Sequence, residues 1–259
     1  MMLTKIAAGL IATVGFVATT SAADLWALSN DNKIAKFSTE SKKVLGTWDL
    51  KGVDTPIRGI DVRPADGKLY ALGDDNTLYT IDPNTATATA GAKLSQALPG
   101  KGWAVVDFNP VADRLRLIAP DGTNFRVNVD TGEVVVDKPL NYAADGQLKG
   151  TPKVVAGAYT NSYKGTKETQ LFNIDAASGQ LVLQAPPNDG ILVAKGEVAK
   201  KIDHVSFDIW SDGKGGNQAF LLKDGVLHTL DHTNGKTTEV GKISGLPKKV
   251  IDIAVPGAM

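Results

Sequence analysis

The sequence has no cysteine among its 259 residues. That absence removes disulfides, thiolate metal sites and cysteine-linked lipid anchors together. No charge of either sign is in excess: 28 acidic residues face 28 basic ones. A nucleic-acid-binding domain normally carries a basic surplus, so the balance argues against nucleic acid as a partner. Arginine is scarce, with five residues (Arg58, Arg63, Arg114, Arg116 and Arg126) confined to one stretch. Helical periodicity is missing beyond residue 23, and no later apolar run reaches the roughly 20 residues that a membrane helix needs. There is no Gly-x-Ser-x-Gly nucleophile elbow and no phosphate-binding Gly-Lys-Ser/Thr loop.

What is present begins with an address. Lys5 is the only charged side chain before Asp24, Ile6 to Ala18 is small and apolar, and Thr20-Ser21-Ala22-Ala23 supplies small residues at a cleavage point. This order reads as a secretory signal peptide. Residues 1–23 are therefore expected to be a leader, and residues 24–259 a single exported domain, periplasmic or secreted. A chain of that length buries enough surface without disulfides.

The rest is repetitive. Leu25-Trp26-Ala27-Leu28 aligns without gaps on Leu69-Tyr70-Ala71-Leu72, and the match runs on from Lys33–Ser38 to Thr77–Asp82. Further copies start at Leu115 and Ala219, with a divergent one at Gln170–Asp175 followed by Gly179–Leu183. Asp121-Gly122 and Asp224-Gly225 lie between alternating apolar runs, a hairpin signal. A preceding strand repeats as well. With Asp61, Asp107, Tyr159, Asp208 and Asp252 taken as equivalent, the steps are 46, 52, 49 and 44 residues. Such periods, with short strands in each unit, point to propeller blades. The first copy lacks its first strand, and Val250–Ala254 is a first strand without a blade. The expected fold is all-β: a five-bladed β-propeller closed by a C-terminal strand pairing into the N-terminal blade, which removes exposed strand edges.

Apolar pairs at alternate positions (Ala35/Phe37, Tyr79/Ile81, Val127/Val129, Phe172/Ile174 and His228/Leu230) should pack on neighbouring blades. Ser38, Asp82, Asp130, Asp175 and Asp231 follow them and read as turn caps. The innermost-strand aspartates Asp61, Asp107, Asp208 and Asp252 have two readings. They form a carboxylate ring for a hard cation such as calcium, or each joins its blade to the next through backbone N–H groups or arginine. A position repeated in four of the five blades favours the joint, so no metal and no cofactor is expected. Residues two further along share that face: Arg63, Asn109, Asn161 and Trp210. With Arg114 and Arg116 they complete the candidate ligand site, at the channel ends of blades two and three. Two histidines four apart on a strand, His228 and His232, are about 13 Å apart and do not chelate together.

Gly59-Ile60-Asp61-Val62-Arg63-Pro64, Leu69-Tyr70-Ala71-Leu72-Gly73, Asp107-Phe108-Asn109-Pro110 with Asp113-Arg114-Leu115-Arg116, and Ala158-Tyr159-Thr160-Asn161 resemble the motifs of an exported bacterial domain family of unknown function. The resemblance spans residues 24–259, departs at Val62, where phenylalanine is usual, and implies a propeller-like fold and no activity. The residues offer no catalytic set. The expected function is a module that binds a protein or small-molecule ligand. The alternatives are an enzyme on glycans or lactones at the channel mouth, using calcium in one version, and a structural subunit of a cell-surface assembly.

Overall fold

The structure is a computed structural model and describes residues 23–257; the expected leader lies outside the described residues. Strands dominate, because short runs of Val, Ile, Leu and aromatic residues alternate with polar ones between Asp, Asn and Gly turns. Blade one holds β1 (Asp24–Ser29), β2 (Lys33–Ser38) and β3 (Lys43–Asp49). Blade two holds β4 (Ile57–Val62), β5 (Leu69–Gly73), β6 (Thr77–Asp82) and β7 (Thr87–Lys93). Blade three holds β8 (Val105–Asn109), β9 (Arg114–Ile118), β10 (Asn124–Val127) and β11 (Val134–Val136). The short β12 (Asn141–Tyr142) then pairs parallel to the outer edge of blade four. Blade four itself is β13 (Val154–Tyr159), β14 (Leu171–Asp175), β15 (Gln180–Gln184) and β16 (Ile191–Glu197). Blade five is β17 (Ser206–Ser211), β18 (Asn217–Lys223), β19 (Val226–Leu230) and β20 (Thr237–Lys242). Finally β21 (Val250–Ala254) pairs antiparallel with β1 and becomes the innermost strand of blade one.

The chain is thus an all-β, five-bladed propeller, closed as its repeats predict. Each innermost strand packs against those of the blades on either side. The core is five apolar clusters, one per seam. Tyr70, Phe108 and Leu115 lie between blades two and three, and Leu25, Phe37, Phe220 and Ile253 lie between five and one. Each fully buried Leu or Phe contributes about 1.5–3 kcal/mol, so the seams hold the ring.

Two alignments shift. β14 is the second strand of blade four, as its place in the repeat predicts, with β13 on one side and β15 on the other, so Phe172/Ile174 does not match the third-strand pairs of the other blades. Phe172 and Ile174 therefore face blade five, and Val182 and Gln184 hold the positions of Ala35 and Phe37. In blade three the matching pair is Phe125 and Val127, two residues earlier than Val127/Val129. The innermost strands shift too. Asp61 lies opposite Tyr70, Asp107 opposite Arg116 and Asp208 opposite Phe220. The blade-four counterpart is Ala158, opposite Phe172, and the blade-one counterpart is Ala254, opposite Trp26. Asp252 sits two residues before that position, and Tyr159 faces the other way, toward blade three.

Candidate functional site

The four innermost-strand aspartates are buried or nearly so, and each accepts a backbone N–H from the next blade. Asp61 Oδ2 accepts from Phe108 at 2.7 Å, and Asp107 Oδ1 from Tyr159 at 2.9 Å. Asp208 Oδ2 accepts from Val255 at 2.6 Å, and Asp252 Oδ2 from Ile60 at 2.9 Å. These carboxylates are inter-blade joints. Their partners are backbone amides and not the arginines that the sequence also offered. Blade four has no such joint; Ala156 and Ala158 pack there against Val205 and Phe207 of blade five.

The same side chains converge. Asp61, Asp107 and Asp208 each bring an oxygen to within 4.8 Å of the others. They come from blades two, three and five, so they meet on the propeller axis and plug it. Burial pushes the Asp61 and Asp107 carboxyls well above the usual range, and neighbouring carboxylates add to the push. Burial raises Asp208 to about 7 and moves Asp252 in the same direction. As a calcium site the group is short of ligands. It offers three oxygens where calcium takes about six to eight. Five of the six oxygens on these three residues already accept backbone N–H groups.

The arginines are committed to structure. Arg63 forms a bidentate pair with Asp113 at 2.8 and 2.6 Å and also reaches Asp130. Asp130 is therefore an ion-pair partner, and Asn128 caps that turn by accepting its N–H. Arg116 is 1% exposed and spans the seam between blades three and four, bonding Asp137, Asn124, Asn188 and the Tyr159 hydroxyl. Arg126 shares Asp137, and Arg58 donates to the carbonyls of Leu98, Pro99 and Gly102. Arg114 bonds the carbonyls of Ala112 and Asp113 beside it. Asn109 caps its own turn through Val111 and Ala112, and Asn161 pairs with Asn217. Trp210 packs into the seam between blades five and one. The expected set is not one site. Asp61, Asp107 and Asp208 meet on the axis, Asp252 ties blade one to blade two beside them, and the others are local braces.

No motif in the sequence marks a concavity at the mouth of blades five and one. A cavity of about 1000 Å³ opens between blades five and one, where the innermost strands begin. Its wall combines the turn Lys223–Gly225, the segment 242–249 and the first residues of β21. Lys201, Lys223, Lys242 and Lys249 line it, against Asp203 and Asp224, so its field is positive. His204 closes its inner side. The ring stacks obliquely on Trp103 at 5.7 Å, and Nε2 contacts the Ile251 carbonyl at 3.0 Å. Burial lowers the His204 pKa, so the ring is neutral near pH 7. Nε2 then carries the proton, and the buried Nδ1 is an acceptor with no donor among the described residues. These residues come from three separate turns with no shared motif, and only the folded ring assembles them.

Similar folds are known. A protein of unknown function from Bacteroides thetaiotaomicron VPI-5482 aligns with a TM-score of 0.57 at 17% identity, over 90% of this chain and 62% of its own. An auxiliary nutrient binding protein from Bacteroides ovatus ATCC 8483 aligns with a TM-score of 0.48 at 16% identity, over 75% of this chain and 52% of its own. The chain thus spans about 62% and 52% of the lengths of these structures. At such identities the first likeness bears on the fold alone. No curated protein matches the chain. The model of one family matches residues 33–254, nearly the whole propeller, and the chain belongs to that family, described as a domain of unknown function, DUF4394.

Proposed function

We propose that the protein is an exported binding module rather than an enzyme, and that it takes a small anionic ligand in the cavity between blades five and one. The cavity of about 1000 Å³ carries this reading: four lysines and two aspartates line it, and a neutral histidine and a tryptophan lie at its inner side. Small-molecule sites are concave, with a few polar groups set among apolar ones. Ile243, Leu246, Val250 and Ile251 supply the apolar part of this wall. The unpartnered His204 Nδ1 suits a ligand that also carries a hydroxyl donor. The leader expected at residues 1–23 supports action outside the cytoplasm, in the periplasm or after secretion.

Titration calorimetry with small carboxylates, phosphates and acidic sugars tests the proposal. At least one class is expected to bind, and Lys223→Glu with Lys242→Glu should weaken it at least tenfold, about 1.4 kcal/mol. Binding indifferent to both changes would place the site elsewhere. Turnover of a glycan or lactone that vanishes in Asp208→Asn would replace the binding module with an enzyme.

A further inference from the structure

Three carboxylates meet on the axis, with Asp252 two residues before the matching position on its strand, and the charged groups around them are engaged elsewhere. β4 brings Asp61, β8 brings Asp107, β17 brings Asp208 and β21 brings Asp252, while β13 presents Ala158. Arg116, opposite Asp107 on β9, is held by Asp137. Arg63, two residues past Asp61, is held by Asp113 and Asp130, and Arg58 at the start of β4 by backbone carbonyls. Tyr70, opposite Asp61 on β5, donates its hydroxyl hydrogen bond to Asp66. The Tyr159 hydroxyl meets Arg116, and His204, ahead of β17, meets the Ile251 carbonyl. Among the described residues a proton is therefore the charge that balances the cluster.

Two of the four carboxylates hold the strand that closes the ring. Asp208 receives the Val255 N–H just beyond β21, and Asp252 on β21 receives the Ile60 N–H of blade two. β21 is thus tied to both neighbouring blades through the cluster. We propose that the axis carboxylates are a pH-sensitive latch on β21: as acids they share protons and hold the strand in the ring, and as anions they repel one another and loosen it. The latch does not depend on what the cavity binds, although the first residues of β21 form part of the cavity wall.

The direction follows from linkage. All four groups have folded pKa values above the unfolded value of 3.8, with Asp208 at about 7. The folded state then holds more protons than the unfolded one across that window. The stability this provides is complete below 3.8 and is lost as pH rises through 7 and above. His204, whose pKa is lowered, acts in the opposite direction at the acid end.

Thermal melts of the full chain in a chelating buffer, with hydrogen exchange corrected for its intrinsic pH dependence, test the latch. Wild-type Tm should be lower at pH 8.5 than at pH 5.5 by about 5 °C or more, and protection should be lost first at β21 and Ile60. Asp208→Asn and Asp252→Asn should each flatten the slope by at least half. A Tm that is level or rises with pH, an unchanged slope in both variants, or uniform loss of protection across the blades would overturn the latch. If both variants fail to fold, infrared spectra of the wild type decide. A carboxylic-acid band present at pH 6 that disappears together with β21 protection supports the latch, and absence of the band at pH 6 refutes it.

Discussion

Single residues carry the seams, and the tightest tolerances lie where blades touch. A Cβ at Gly59 would fall 2.6 Å from Val106 Cγ2, 2.9 Å from the Ala104 carbonyl oxygen and 2.9 Å from Asp252 Oδ2. Gly59→Ala should therefore force blades two and three apart and cost about 1–3 kcal/mol by overpacking, read as a lower midpoint in urea. Arg116→Met tests a different failure. It leaves Asn124, Asn188 and Tyr159 without their charged donor and removes one of the two arginines on buried Asp137, for a loss of about 3–5 kcal/mol. A conservative change to lysine should rescue little, because one ammonium cannot reproduce the guanidinium fork. The aspartates are legible as joints because a carboxylate recurs in four of the five blades. Their convergence is legible only as the alternative ring reading, since which oxygens meet on an axis depends on three strands more than 40 residues apart. The arginines were legible as a group, but their partners were only partly so. Asp113 is near in motif, whereas Asp137 follows β11 and Asn188 lies in a short 3-10 turn between β15 and β16, far apart in sequence.

Strands and their order were the most readable level, because period-two alternation and Asp-Gly turns are local signals. In blade four the strand order is legible and the apolar pair is not: Ile174-Asp175 ends a second strand just as Ile81-Asp82 ends a third, and only the pairing of β14 to both β13 and β15 separates the two cases. Asp175 shows the difference, for it receives the Lys153 N–H and the Tyr142 hydroxyl in addition to capping its own turn at Ser178. β21 is the element with the most at stake. Removing residues 250–259 strips β1 of its inner partner and opens both seams of blade one. The shortened chain should show no cooperative melting transition, whereas a stable, monomeric truncated protein would refute the closure.

At the scale of the molecule, the propeller is a rim of apolar seams around an acidic plug, with a cavity at one mouth. Such a plug is held by amide donors and protons, so divalent cations are not expected to support the fold. A chelator should leave Tm within about 1 °C at pH 6, and added calcium should do the same. Cavity and plug share the closing strand, which also links the two chain ends in time. During synthesis β1 is made first and its partner 221 positions later, so blade one must wait with a bare inner edge while four blades assemble beside it. Any second copy at the same stage presents a strand that fits that edge. High expression should thus favour reciprocally exchanged dimers, each ring completed by the other's β21, and rapid dilution during refolding should favour the monomer.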